Sequence, residues 1–177
     1  MLETIRTYFF ERARRQGMHA GAGRSPQFKL NNKNHFGILL DAGNFNDRND
    51  VLAFADKLRK DGHRVKILGY IIGRIEGASM PFDIFATAQL SKLSQVPKSP
   101  EVDAFLELRF DALINMSLAQ NHKPLDYISS LSKAKFKIGP WYPQARSNPY
   151  DLCIDAGASA TLKEWIHELM HTLQKIY

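Results

Sequence analysis

From residue 35 onward, short apolar runs alternate with amphipathic stretches, and this alternation constrains the fold more than any other feature of the chain. The first run, HFGILLD (35–41), sets Ile38, Leu39 and Leu40 side by side. A strand with one face in water alternates apolar and polar residues, whereas consecutive aliphatics require burial on both faces, as inside a parallel sheet. Residues 47–61 then carry Val51, Leu52, Phe54, Ala55 and Leu58 at helical spacing, with Asp47 or Asn46 placed to cap the start and Asp61-Gly62 to end it. The spacing predicts further strands at 64–72, 82–85, 110–116, 136–138 and 150–155, and helices at 101–109, 124–133 and 158–176. In the last helix Leu162, Ile166, Leu169, Leu173 and Ile176 share one face. The strand texts FDALIN (110–115) and YDLCID (150–155) repeat one pattern of aromatic, Asp, apolar pair, Ile and polar exit, as similar strands under similar rules do. Together these elements predict an α/β fold: a three-layer, doubly wound, mainly parallel sheet of five to six strands, Rossmann-like in architecture.

A chain of 177 residues holds one domain, or one domain and an arm, and can bury a core without metals or disulfides. Its 44% hydrophobic and 24% charged content excludes collagen-like and disordered classes. Cys153 is the single cysteine, so no intramolecular disulfide forms, and its strand setting reads as a small core residue. No run of apolar residues is long enough to span a bilayer, and Glu3, Arg6, Glu11 and Arg12 interrupt any signal-like segment at the start. These features point to a cytoplasmic protein.

Charge is distributed unevenly. Residues 1–34 carry seven basic side chains, Arg6, Arg12, Arg14, Arg15, Arg24, Lys29 and Lys33, against Glu3 and Glu11, so this segment holds +5 of the formal +6. It reads as a basic helical arm over 2–16, with Leu2, Ile5 and Phe9 on one face, stopped by Gly17, Gly21 and Gly23 and joined flexibly through residues 20–26 to a domain spanning 35–177. Segregated positive charge points to a polyanionic partner. RNA or a ribonucleoprotein, contacted by Arg6, Arg12, Arg14, Arg15, Arg24 and Lys29, is the leading expectation. An anionic membrane surface met by the arginines and Tyr8, Phe9 and Phe10 is a second, and simple packing of the helix on the domain a third.

Ligands of open α/β sheets bind beyond the carboxyl ends of the strands. Asp41, Asn115 and Asp155 end three predicted strands, and Gly43, Asn44 and Asn46 follow the first, which makes these six residues a candidate ligand site for a nucleotide, sugar or phosphate. The same residue types are ordinary turn and cap chemistry. No G-x-G-x-x-G, G-x-x-x-x-G-K-[ST] or G-x-S-x-G occurs, and Asp41 and Asp47 would repel a phosphate unless a metal sat between, so no cofactor is expected and a non-enzymatic binding module is the leading reading, with a metal-dependent enzyme or sensor at this edge the alternative. One further string stands out: His167-Glu168-Leu169-Met170-His171 places two imidazoles on one helical face at zinc-ligand spacing, without an evident third ligand. Exposed or boundary histidines are the simpler account.

The stretches 37–71, 110–118, 127–139 and 150–155 resemble a family of small bacterial proteins of unknown function, over most of the chain. A shorter stretch, FDALIN followed by a helix and KAKFKIG, is similar to the N-terminal half-domain of heptosyltransferase-type glycosyltransferases, which implies a Rossmann-like half-domain without implying catalysis. Asp41 and Asn44 resemble the opening of PIN-like metal-dependent ribonucleases, although that family's later pair of closely spaced acids is absent here.

Overall fold

The computed structural model describes residues 2–18, 28–30, 33–73, 79–118, 123–142, 149–157 and 159–176. In chain order the elements are α1 (Leu2–Met18), β1 (His35–Asp41), α2 (Phe45–Lys60), β2 (Arg64–Ile71), β3 (Asp83–Ala86), α3 (Pro100–Glu107), β4 (Ala112–Asn115), α4 (Lys123–Leu131), β5 (Phe136–Pro140), β6 (Leu152–Ile154) and α5 (Leu162–Ile176). The six strands form one sheet in the order β3-β2-β1-β4-β5-β6, and every pairing is parallel. This is the doubly wound α/β architecture expected from the alternation.

Residues 36–40 of β1 are all buried, which explains the unbroken apolar text of that strand. Phe36, Ile38 and Leu40 point into one core with Val51, Phe54 and Leu58 of α2 and Trp165, Leu169 and Leu173 of α5. Leu39 joins Leu68 and Leu113 in the other, against Val102 and Phe105 of α3 and Leu125 and Ile128 of α4. Gly37 has no side chain because the ring of Phe110 occupies the space: a Cβ there would stand 2.8 Å from it.

Two helices start where a side-chain cap sets them, and one ends later than expected. Helix α2 begins at Phe45 because Asn44, not Asp47 or Asn46, takes the cap: its Oδ1 accepts from Asn46 N at 2.8 Å and Asp47 N at 3.4 Å. Helix α5 begins at Leu162 because Thr161 and Glu164 cap each other, Thr161 N donating to Glu164 Oε2 at 2.7 Å and Glu164 N to Thr161 Oγ1 at 3.3 Å. Helix α1 runs through Gly17 to Met18, since one glycine costs a helix only about 1 kcal/mol.

Helix α1 lies on α4. Phe10 is buried against Tyr127, ring centroids 6.0 Å apart, and Lys123 Nζ donates to Thr7 Oγ1 at 3.3 Å. Arg14 is also buried and bonds Glu11 Oε2 through Nη2 at 2.8 Å and Nε at 3.2 Å. The packed face is therefore centred on Phe10 and Arg14, whereas Ile5 of the expected stripe is 42% exposed and Phe9 is half-buried. Nor does the core begin at His35. Phe28 is buried, stacks on Phe136 at 5.6 Å, and has Leu30 packed beside it. The glycine-rich joint at 20–26 lies outside the described residues.

Docking of α1 thus rests largely on one ring. Phe10→Ala is expected to destabilise the protein by about 3 kcal/mol in urea unfolding, and Tyr8→Ala, a change at an exposed ring of the same helix, by less than about 0.5 kcal/mol.

Candidate functional site

The strand order reverses at β1: the chain leaves β1 for α2 on one face of the sheet and β4 for α4 on the other, and a crevice opens between the two departing loops. Two cavities lie along this edge. One, of about 360 Å³, is walled by the ends of β5 and β6 and the start of α5, including Trp141, Tyr142, Asp155, Gly157 and Trp165. The other, of about 590 Å³, lies between the first turns of α2 and α5, where Asn46, Asp47, Asn49, Asp50, Thr161 and Lys163 line it. Leu118, just beyond β4, and Ala160 line both, so the two cavities meet there.

The expected ligand residues divide. Asn44 and Asn46 line the second cavity and Asp155 the first. Asp41 and Gly43 form the turn leaving β1, with Gly43 N donating to Asp41 Oδ1 at 2.9 Å. Asp155 makes the same turn, accepting from Gly157 N at 3.0 Å. Asn115 is fully committed elsewhere: it is buried, accepts from Ser117 N at 3.1 Å and donates to Tyr150 Oη at 2.6 Å. Much of the polar text at the strand ends is therefore turn and cap chemistry, and the crevice adds Leu118, Trp141, Tyr142, Thr161 and Lys163. The aromatic pair directly after the β5 run, and the Thr161-x-x-Glu164 capping signature, were the available signals for these residues.

Behind the crevice lies a polar network. Tyr150 places its ring over Gly139, where a Cβ would meet it at 2.5 Å, and its hydroxyl donates to Asp126 Oδ1 at 3.1 Å. Burial, reinforced by the Asp126 charge, pushes the Tyr150 phenol well above the usual tyrosine range, so it stays a neutral donor. Tyr142 is shifted upward for the same two reasons, and its hydroxyl donates to the Ser117 carbonyl at 2.7 Å. Lys137, with no exposure, reaches the Ser130 carbonyl at 3.2 Å. Among the described residues, the buried Ser117 Oγ has no hydrogen-bond partner.

Of the basic candidates, Arg12 and Arg15 are exposed on α1, Arg6 is half-buried, Arg14 is buried and paired with Glu11, and Lys29 is exposed beside the core segment of Phe28. Arg24 lies outside the described residues. His167 and His171 are both exposed on α5, and among the described residues no group of three His, Cys, Asp or Glu side chains comes together to hold a metal. No helix among the described residues is long and apolar enough to cross a membrane.

The acidic wall of the crevice has a measurable consequence. Burial first, then the neighbouring Asp50 and Asp41 carboxylates, hold the Asp47 carboxyl above the usual aspartate range. The folded protein thus binds this proton more tightly than the unfolded chain, and ionised Asp47 costs stability at neutral pH. Asp47→Asn is expected to raise the unfolding free energy at pH 7. The gain should shrink as pH falls through the raised folded value and vanish below the ordinary aspartate range of about 3.9, as urea titrations across that range would record.

Comparison with known proteins bears on the whole chain rather than on any single residue. No curated protein and no solved structure matches it. A family model does, across residues 7–176, so it takes in most of α1, all six strands and all of α5. The chain belongs to a family of unknown function (DUF6913).

Proposed function

We propose that this protein is a binding module for a small polar molecule held in the crevice at the carboxyl edge of the sheet. The observation that carries this reading is the meeting of the two cavities at Leu118 and Ala160, between the first turns of α2 and α5. Concave sites at this position of a doubly wound sheet are where such folds take ligands.

Leu118→Arg fills the junction of the two cavities and tests the location. Nucleosides, nucleotides, sugars and sugar phosphates, each at millimolar concentration, form the panel. At least one should raise the melting temperature of the unaltered protein by mass action and fail to do so in the variant. Silence across the panel, or a shift that survives in the variant, would remove the reading.

An RNA or ribonucleoprotein partner is a second reading, and one observation favours it. Ile5, Tyr8, Arg12 and Arg15 are exposed and follow one stripe of α1, on the side away from Phe10 and Arg14. Arginines beside an exposed aromatic suit phosphates and unstacked bases. Replacing Arg12 and Arg15 together by Glu is expected to weaken binding to polyuridylate and to lower its salt dependence by about one unit of slope per arginine. Retention equal to that of the unaltered protein would dismiss RNA as the partner of this surface.

A further inference from the structure

We infer that the crevice takes an uncharged, hydroxyl-rich ring compound, a sugar or nucleoside without phosphate, whose flat face lies on Trp141. The inference rests on the crevice being the binding site and narrows what that site admits.

Charge argues first. Among the described lining residues, Asp47, Asp50 and Asp155 face a single cation, Lys163. A phosphate entering here meets a net negative wall in a partly enclosed space, where repulsion is poorly screened. The usual remedy is a helix start, whose free amides hold anions. Two helices start at this crevice, and both are capped by their own side chains. Asn44 Oδ1 takes the amides of Asn46 and Asp47 at the start of α2. Glu164 Oε2 takes both the amide and the hydroxyl of Thr161 at the start of α5, at 2.7 and 2.8 Å. A phosphate would have to displace a carboxylate from the second and an amide oxygen from the first.

The remaining groups suit hydroxyls. Asn46 and Asn49 are exposed at the second cavity and offer both a donor and an acceptor. Carboxylates accept from hydroxyl groups, and Asp155 has one oxygen outside its turn bond to Gly157 N. The first cavity supplies the apolar surface. Trp141 is 48% exposed at its rim, and its backbone amide bonds the Ile154 carbonyl at 2.9 Å, which anchors the residue bearing the ring to the end of β6. Trp165 is buried in the same wall, with Nε1 donating to the Ile154 carbonyl at 3.2 Å. An amphipathic ring, apolar on its face and polar round its edge, matches this pairing of aromatic wall and amide-carboxylate wall.

The test is calorimetric titration of matched pairs into the full chain: adenosine against adenosine monophosphate, and glucose against glucose 6-phosphate, with spermidine as a cationic probe. The uncharged member of at least one pair should bind at least tenfold more tightly than its phosphate. Trp141→Ala should weaken that binding about tenfold, the loss expected for one stacked ring, while Trp165 and the fold remain intact by circular dichroism. Tighter binding of the phosphorylated members, or of spermidine alone, would overturn the ligand class and leave the crevice as the site. Binding that Leu118→Arg does not alter would overturn the site itself, and binding by none of the probes would overturn both.

Discussion

Strand β1 is hydrogen-bonded along its length to β2 and, over four residues, to β4 on its other side. A strand in that position can expose neither edge nor either face, so its side chains must fill two separate cores at once. Phe36, Ile38 and Leu40 serve one and Leu39 the other, while Gly37 yields its place to Phe110. At roughly 25 cal/mol for each square ångström of apolar surface removed from water, a strand of this kind is among the largest single contributors to folding. The same double pairing sends the chain away on both sides of β1. The crevice is therefore a by-product of the way the hydrophobic core is assembled, and its walls are whatever the loops after β1, β4, β5 and β6 bring there.

Those loops are polar, and most of their polar groups are already engaged. Gly43 and Gly157 donate to the aspartates two residues before them, Asn44 closes the start of α2, and Thr161 with Glu164 closes the start of α5. Each of these bonds relieves a backbone group that the end of a strand or helix leaves without a partner. Deeper in, Asn115, Tyr150 and Asp126 satisfy one another where α4 covers β4 and β5. What remains for a ligand is correspondingly limited, and this limitation gives the crevice its chemical character.

The order and type of the elements were legible in the sequence because continuous apolar strands and 3.6-residue periodicity are local signals. Their ends were less so. Asp47 and Asn46 compete with Asn44 for the same cap, and only the turn geometry after Asp41 decides among them. The α1 face was misread for a different reason. Ile5 and Phe9 have the right spacing for a packed stripe, but the mate of this helix is α4, more than a hundred residues away, and Phe10 is the ring that meets Tyr127. Burial of Arg14 was likewise hidden, since its guanidinium pairs with Glu11 one turn earlier instead of facing water. At the crevice, strand-end acids and amides were found from position alone, whereas Leu118, Trp141 and Lys163 come together only through crossovers that pattern does not reveal.

Gly139 and Tyr150 have a consequence for how this sequence can drift. The bare backbone of one is the seat of the other's ring, and that ring carries the hydroxyl joining β4 to α4. A side chain gained at 139 has no room until the aromatic at 150 is lost, and losing the aromatic takes one hydrogen bond from Asn115 and one from Asp126. The two positions thus behave as one heritable unit, open to replacement in concert and closed to replacement in succession.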